Sequence, residues 1–257
     1  MAVRRRPARE APGQHFLRSS RLASDLVCDA GVGTGDLVVD IGAGTGMITR
    51  ALAATGADVI ALELDRTLAA GLKRRAGRNV TVVETDALDW SWPTRDFVVV
   101  ANLPFASSGA ILGHLLRDPS SRLQRAEVIV QWGFAAKHGA VWPATLRSTY
   151  WRAWYDLVVA RRLARTAFTP TPGVDAAVLM ITRRTEPLVP AGHSGHYWRF
   201  LSDAFRATTR IRSSLRPHLS PLQLKRLAPT LGFAPEAHPR DLDARQWASL
   251  FTYVMRP

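Results

Sequence analysis

Apolar segments of strand length alternate with helical patterns between Leu37 and Met180. Five segments are short, rich in β-branched residues and bounded by turn residues, and each predicts a strand: LVVDIG, DVIALEL, VTVVET, FVVVAN and AEVIVQW. Such nearly continuous apolar segments are typical of strands buried on both faces of a parallel sheet. The segments between them, such as TGMITRALAATG and DRTLAAGLKRRAG, have helical spacing and end in glycine. Repeated βα units of this kind predict an α/β fold with a doubly wound sheet.

The carboxyl-terminal part of the chain has a different pattern. Two apolar segments, 151–159 and 176–182, predict a hairpin that closes the sheet. After Arg184, TEPLVPAGHSG is rich in turn residues and predicts a linker. Amphipathic helical patterns without further strands follow it: HYWRFLSDAFRATTR, PLQLKRLAPTLG and ARQWASLFTYVM. The pattern therefore divides the chain into a basic arm of residues 1–12, an α/β domain of residues 13–184 and a small helical domain of residues 185–257.

The composition fits this division and indicates in which cellular compartment the protein occurs. The chain has 257 residues, 47% of them hydrophobic, which suits one main domain with a small second one. No apolar segment reaches the ~18 residues of a membrane span, and the amino terminus lacks the apolar core of a secretory signal. Cys28 is the only cysteine, which excludes an internal disulfide and favours a cytoplasmic protein. The apolar residues around Cys28 predict that its thiol is packed inside a helical face.

The net charge of +13 and the pI of about 11.2 come almost wholly from arginine. A compositional bias toward Arg and Ala would raise the pI without any function, but it need not cluster the charge. Clusters occur at residues 4–9, 73–78, 161–165 and 206–216. The charge therefore favours a polyanionic partner, above all nucleic acid. We expect the arm, disordered when free, and the helical domain to contact RNA phosphates.

The first predicted strand runs into Asp40-Ile41-Gly42-Ala43-Gly44-Thr45-Gly46. Glycines between a strand and a helix let the backbone approach a ligand at the carboxyl end of the strand. The dinucleotide fingerprint would need a glycine at position 47, which is Met47. The G-x-G-x-G spacing is instead similar to the turn that class I methyltransferases place around S-adenosylmethionine.

Acidic residues follow the next two predicted strands. Glu63 ends the second strand, where a carboxylate accepts hydrogen bonds from ribose hydroxyls, and Asp86 follows the third, where it could bond an adenine amino group. Taken singly, each is also explained as a solvated acid at a strand end. Because Glu63 and Asp86 follow successive strands and lie beside the glycine turn, together they predict a site for an adenosine-type cofactor.

The segment VVVANLPFASSG ends the fourth predicted strand at Asn102, because Pro104 cannot donate to a strand ladder. The exocyclic amino nitrogen of a base is a poor nucleophile, since its lone pair delocalises into the ring. Two acceptors for its N–H groups, the Asn102 side-chain oxygen and the Leu103 carbonyl, would draw it toward tetrahedral geometry. Pro104 would aim that carbonyl, and Phe105 would stack on a base that has left its helix or loop.

Asn102-Leu103-Pro104-Phe105 resembles the Asn-Ile/Leu-Pro-Tyr/Phe signature of rRNA adenine N6-methyltransferases. Gln14-His15-Phe16-Leu17, the glycine turn, Glu63, Asp86 and the segment 168–175 occur in that superfamily's order, so the resemblance extends over nearly the whole chain. The Erm branch methylates an adenine of 23S rRNA and blocks macrolide, lincosamide and streptogramin B binding. The KsgA branch dimethylates adjacent adenines of 16S rRNA. VDAAVLMITRR, RDLDARQWASLF and the short helical domain resemble Erm more closely, and we favour that branch.

The resemblance implies a class I methyltransferase, Rossmann-like fold and S-adenosylmethionine as cofactor, with no metal and no membrane association. It implies mono- or dimethylation of an adenine in 23S rRNA by a cytoplasmic monomer, before large-subunit assembly is complete. At the target base it implies Asn102, Leu103, Pro104 and Phe105, with Phe168 on the other face. The cofactor contacts that it implies are Gln14, His15, Leu17, Gly42, Gly44, Gly46, Glu63, Asp86 and Asn102.

The chain departs from the family pattern at three places. His15 stands where Erm proteins often have Asn, and Phe105 replaces a frequent Tyr. Gln131-Trp132-Gly133-Phe134 lacks the charged pair of the usual Gln-Arg/Lys-Glu pattern.

Other classes of protein fit the sequence less well. A non-catalytic nucleic-acid-binding protein is one alternative, since the superfamily includes mitochondrial transcription factors, but the intact Asn102 and glycine turn favour catalysis. Met47 and the absence of a hydride-transfer constellation disfavour a nicotinamide-dependent oxidoreductase. No sequence cluster has metal-ligand spacing, and neither a G-x-S-x-G elbow nor a P-loop is present, so hydrolase and NTPase functions lack their chemistry.

Overall fold

A mixed sheet of seven strands is the framework of the protein, whose computed structural model describes residues 14–206 and 210–256. The strands are β1 Phe16–Leu17, β2 Leu37–Ile41, β3 Asp58–Glu63, β4 Val80–Glu84, β5 Phe97–Asn102, β6 Leu123–Gln131, β7 Tyr155–Leu163, β8 Phe168–Thr169 and β9 Ala176–Arg183. Their order in the main sheet is β4-β3-β2-β5-β6-β9-β7, and β1 pairs separately with β8. Strands β2 to β6 are parallel, whereas β9 runs antiparallel to β6 and β7. The predicted doubly wound α/β sheet is confirmed, and the strand order reverses between β2 and β5, where such sheets bind ligands.

Helices cover both faces of the sheet. They are α1 Ser20–Ala30, α2 Met47–Ala53, α3 Arg66–Lys73, α4 Ser108–Leu115, α5 Trp132–Gly139, α6 Leu146–Trp151, α7 Ser194–Arg206, α8 Ile211–Ser214, α9 Pro221–Thr230 and α10 Ala244–Val254. The pattern after Arg184 therefore gives helices, as predicted. Helices α5, α6 and α8 were not predicted, because each is short and lies beside aromatic or β-branched residues.

The closing hairpin is confirmed as a pair, since β7 and β9 are antiparallel neighbours with Tyr155 opposite Arg183. It begins at Tyr155 and not at residue 151, because Thr145 caps α6 by accepting a hydrogen bond from the Ser148 N–H. Strand β6 begins three residues before the predicted segment, at Leu123. Gln124 and Arg125 concealed this start, because these two polar residues directly precede the predicted segment; Arg125 donates to the Gly31 carbonyl at 3.0 Å.

One apolar core joins the sheet to the helical region. The cluster on one sheet face includes Val39 and Val99 together with Tyr197 and Trp247, all of them fully buried. The other face packs against α1 and α2 through residues such as Val38 and Val100. Truncating a buried aromatic such as Trp247 would cost about 3–5 kcal/mol, so the helical region is anchored to the sheet by burial. The division into domains at residue 184 stays a prediction, and the arm lies outside the described residues.

Cys28 is exposed on α1, so the prediction that its thiol is packed was wrong. Within the described ranges no helix is long and apolar enough to cross a membrane. No group of three or more His, Cys, Asp or Glu side chains that could hold a metal ion occurs in the same part of the chain.

Candidate active site

A pocket of about 280 Å³ lies at the carboxyl ends of β2, β3 and β5, where the strand order reverses. Most of the predicted site residues line it: Gln14, His15, Gly42, Gly44, Glu63, Asp86, Asn102, Leu103, Pro104 and Phe105. Three predicted residues do not line this pocket. Leu17 lines a small neighbouring recess, Gly46 begins α2 as its N-cap, and Phe168 is fully buried.

The glycine turn is fixed by backbone conformations that favour glycine. Gly42, Gly44 and Gly46 have φ of +70°, +57° and +82°. A Cβ atom at Gly44 would lie 2.8 Å from the Phe16 ring, and one at Gly46 would lie 2.4 Å from a Leu72 methyl group. The turn therefore depends on glycine, because a side chain at Gly44 or Gly46 would collide with neighbouring side chains.

Glu63 connects the glycine turn to the end of β3. Its carboxylate is buried and accepts hydrogen bonds from the Gly44 N–H at 2.7 Å and from the Asp65 N–H at 2.8 Å. Each carboxylate oxygen thus keeps a lone pair for a ligand hydroxyl. Asp86 is half-buried, and its Oδ1 accepts from the Leu88 N–H at 2.9 Å. Both acids are held in place by backbone donors, and neither forms a salt bridge with a described residue.

Asp40 belongs to the same turn and was not predicted as a site residue. It is fully buried at the end of β2 and lines the recess beside Leu17. Burial raises the pKa of this carboxyl from 3.8 to about 7, against the opposing effect of a 2.6 Å hydrogen bond from Thr49 Oγ1, and the nearby charge of Glu63 raises the pKa further. An apolar β-strand gives no sign of such a shift, because the shift depends on what packs over the strand.

Two apolar side chains that sequence reasoning missed lie beside these acids. Leu64 directly follows Glu63 and is 67% exposed, and Leu88 follows Asp86 by two residues and is 39% exposed. Large exposed apolar groups next to paired acids suit the faces of an adenine ring. The signal available in the sequence was the apolar residue that closes each of the segments ALEL and DAL.

The turn after β5 lines the pocket and contains a side-chain acceptor without a partner among the described residues. Asn102 Nδ2 donates to the His15 carbonyl at 2.7 Å, which turns Oδ1 away from that bond. Asn102 Oδ1 is buried and has no hydrogen-bond partner among the described residues. The Leu103 N–H donates to the Ile129 carbonyl at 3.1 Å, whereas the Leu103 carbonyl takes no hydrogen bond from the part of the chain that the structure describes. Two neighbouring residues that line the pocket therefore each keep an acceptor without a hydrogen-bond partner among the described residues.

Phe105 lies beside these acceptors and is held by other rings. It is 9% exposed, its ring lies edge-on to Phe168 at 5.8 Å, and it is tilted against His15 at 5.3 Å. Phe168 supports Phe105 from the core side and does not itself face the pocket. The stacking of Phe168 on a base stays a prediction, and it would require the loop after β8 to move.

A clip between distant parts of the chain holds His15 in the site. Strand β1 pairs with β8, with Phe16 opposite Thr169. His15 Nδ1 donates to the Pro170 carbonyl at 2.8 Å. His15 is thereby fixed on both sides, through its backbone carbonyl to Asn102 and through its ring to the loop after β8.

The segment that departs from the family pattern forms a cluster of its own. The Arg162 guanidinium lies over the Trp132 ring, 4.7 Å from its centroid. Asp175 accepts from Arg162 Nε at 3.0 Å and Nη2 at 2.8 Å, and its carbonyl accepts from the Trp132 N–H. The cation beside this segment therefore comes from β7 and not from residues 131–134 themselves.

Comparison with known proteins assigns the family. A family model described as ribosomal RNA adenine dimethylase matches residues 6–256. The chain belongs to the ribosomal RNA adenine dimethylase family. The mycinamicin-resistance protein MyrB of Micromonospora griseorubida is 32% identical over 240 residues, covering 93% of this chain and 76% of MyrB. The ribosomal RNA small subunit methyltransferase A of Moorella thermoacetica is 36% identical over 220 residues, covering 77% of this chain and 74% of that protein.

The fold agrees with this assignment. The crystal structure of the 23S rRNA methyltransferase ErmE superposes with a TM-score of 0.81 at 23% identity, covering 94% of this chain and 100% of that one. The predicted class I methyltransferase, Rossmann-like fold is confirmed. The chain is therefore an rRNA adenine N6-methyltransferase, and its cofactor is S-adenosylmethionine.

The residues of the pocket fit this cofactor. The free lone pairs of Glu63 suit a ribose, Leu64 and Leu88 suit an adenine, and the left-handed glycine turn leaves backbone room for the methionine part. S-adenosylmethionine, when bound, supplies a methyl group already activated by a sulfonium centre.

Proposed function

We propose that this enzyme methylates N6 of an adenine in 23S rRNA, once or twice, and thereby confers resistance to macrolide, lincosamide and streptogramin B antibiotics. The observation behind the chemistry is the buried Asn102 Oδ1, which has no partner among the described residues and lies at the pocket. An unpaired buried acceptor costs about 1–3 kcal/mol, and a substrate N–H group would remove that cost.

The pocket residues have complementary roles in this proposal. Asn102 Oδ1 and the Leu103 carbonyl accept hydrogen bonds from the two N–H groups of the target amino group, which localises the nitrogen lone pair. Phe105 stacks on the base, and Phe168 holds Phe105 from behind. Glu63 and Asp86 hold the adenosine end of the cofactor. Positioning provides most of the rate, because the methyl group is already activated and no strong base is needed.

The choice of 23S rRNA is supported by the likeness to a resistance protein and to a 23S rRNA enzyme. MyrB, named for mycinamicin resistance, is 32% identical and matches 93% of the chain. The neighbour ErmE is described as a 23S rRNA methyltransferase. We further propose that the enzyme is a cytoplasmic monomer that acts on the RNA before the large subunit is complete, with residues 185–257 and the arm contributing to RNA binding.

A specific observation favours a second candidate, a 16S rRNA dimethyltransferase. The small subunit enzyme of Moorella thermoacetica has the higher identity of the two relatives, 36% against 32%. Both candidates share the site chemistry, so only the RNA distinguishes them.

The experiment is methyl transfer from labelled S-adenosylmethionine to protein-free 23S rRNA and 16S rRNA, offered together. We expect label in 23S rRNA at one adenine, located by primer extension, with mass spectrometry giving the number of methyl groups. Label confined to 16S rRNA would establish the second candidate. No label in either RNA, with folded protein that binds the cofactor, would refute both.

A further inference from the structure

A second and larger cavity, of about 680 Å³, lies on the other side of Leu88 from the catalytic pocket. It is bounded by α4, α6 and the amino end of α7. Leu88 lines both cavities, so the two adjoin along one surface. The methyl-transfer chemistry makes no use of this larger cavity.

The second cavity is cationic. Arg117 and Arg147 line it, and neither forms a salt bridge with a carboxylate of residues 14–206 or 210–256. Arg147 Nη1 donates to the Gly109 carbonyl at 3.2 Å, which fixes the side chain and leaves its other N–H groups free. None of the lining residues is acidic, and Asp118 is bonded to Ser120. Two unpaired guanidinium groups at one cavity favour a phosphate ligand.

The same cavity has an exposed aromatic wall. Trp198 is 38% exposed and its ring lies edge-on to Tyr150, with 5.0 Å between the centroids. Tyr150 is itself fixed, because its hydroxyl donates to the Arg117 carbonyl at 3.0 Å. Ser194 and Gly195 begin α7, a helix of 13 residues, and bring the positive end of its dipole to the cavity. A firmly held indole beside free guanidinium groups is the chemistry that binds a nucleotide.

We propose that the second cavity binds another nucleotide of the RNA substrate, outside the target adenine. Its base stacks on Trp198, and the adjoining phosphates bind Arg117 and Arg147. The proposal rests on the proposed function insofar as RNA is the substrate. A free nucleotide has the same chemistry, but continuity with the catalytic pocket at Leu88 favours a strand that reaches both cavities. Holding the strand at two points would keep the target base in register with Asn102.

The test is equilibrium binding of a short fluorescein-labelled single-stranded RNA to the full chain, followed by anisotropy over a range of salt concentrations. Trp198→Ala is expected to weaken binding about tenfold, whereas Trp198→Phe keeps most of it. R117A/R147A should lower the slope of log K against log salt by about 1.4, for two phosphate contacts to a single strand.

The matched control is R95A/R122A. It removes the same charge from two exposed arginines, one preceding β5 and one preceding β6, that line neither cavity. We expect it to leave the salt slope near the wild-type value. Unchanged melting temperature and unchanged S-adenosylmethionine affinity would show that the variants are folded.

The proposal would be overturned if Trp198→Ala and R117A/R147A bound RNA with the same affinity and the same salt slope as the control variant. A second result would also overturn it. If calorimetry showed that the wild type binds uridine monophosphate and that both variants lose this binding, while both variants keep the wild-type affinity for RNA, the cavity would bind a free nucleotide and not the RNA strand. Since the readout is binding and not methyl transfer, failure to methylate 23S rRNA leaves this test intact. Conversely, methylation of 23S rRNA together with unaltered RNA binding by the variants would refute the second cavity alone.

Discussion

The two halves of the active site are built in different ways. In the cofactor half, Glu63 bonds the backbone of Gly44, 19 residues away, and of Asp65, two residues away. In the half that faces the target base, Asn102 bonds His15 across 87 residues, and His15 bonds Pro170 across 155. The cofactor half depends on local backbone geometry, whereas the base half depends on the pairing of β1 with β8.

This difference has a functional consequence. Glu63 and the glycine turn are held by nearby backbone groups, whereas Asn102 and Phe105 both contact His15 of the β1–β8 clip. We therefore expect variants of the two halves to separate cofactor binding from methyl transfer.

Asp40 is expected to make the stability of the cofactor half depend on pH. Burial raises its pKa to about 7. Between its unfolded value of 3.8 and about 7 the native state binds more protons than the unfolded state, so stability is greatest below this range and falls as pH rises through it. The whole span is worth about 4 kcal/mol.

Asp40→Asn keeps an acceptor for Thr49 and removes the titration. From about pH 5 to about pH 8, the free energy of unfolding should fall by about 3 kcal/mol more in the wild type than in this variant. Urea unfolding at the two pH values measures it. Parallel pH profiles for the two proteins would show that Asp40 does not titrate in this range.

Asn102→Ala removes the free acceptor from the base half. We expect kcat to fall by about 100- to 1000-fold, as when one preorganised hydrogen-bonding group is lost from an active site. Cofactor affinity should change much less. Asn79→Ala is the matched control, because Asn79 Nδ2 donates to the Ala53 and Ala57 carbonyls and the residue does not line the pocket. Full activity of Asn102→Ala would refute the acceptor role.

The positions of the residues in the cofactor half could also be predicted from the sequence. Glu63 and Asp86 follow strands with clear apolar patterns, and parallel strands bring their carboxyl ends to one edge. Asn102 could be placed for the same reason, since Pro104 ends its strand. These residues line one pocket because their positions depend on local periodicity and on strand direction.

Sequence reasoning failed where position depends on distant packing. Strands β1 and β8 have two residues each, too few for a periodic pattern, so neither the clip nor the contact of Phe168 with Phe105 could be foreseen; a core position for Phe168 was the alternative to stacking on the base. Gly46 continues the G-x-G spacing of Gly42 and Gly44, but it is the N-cap of α2 and does not line the pocket. The second cavity joins α4, α6 and α7, and α6 has no predicted pattern at all.

Glu63→Gln tests the cofactor half directly. The amide keeps the shape but loses the charge and places an N–H group against the donors of Gly44 and Asp65. Affinity for S-adenosylmethionine should fall about 10- to 100-fold, as for loss of a charged hydrogen bond, with RNA affinity unchanged. Glu84→Gln is the matched control, because Glu84 lies opposite Glu63 on β4 and is exposed. Calorimetric titration measures the difference, and equal affinities of the two variants would refute the cofactor role.

Phe105→Leu should give the smallest change, and it tests the half of the site that faces the target base. Leucine fills much of the space beside Phe168 and His15 but offers no aromatic face. We expect KM for rRNA to rise about tenfold through lost stacking, with cofactor affinity unchanged. Phe105→Tyr keeps the ring and should stay close to the wild type. If both variants raised KM equally, Phe105 would serve packing against Phe168 and not the base, and Asn102 would be left as the main contact to the target.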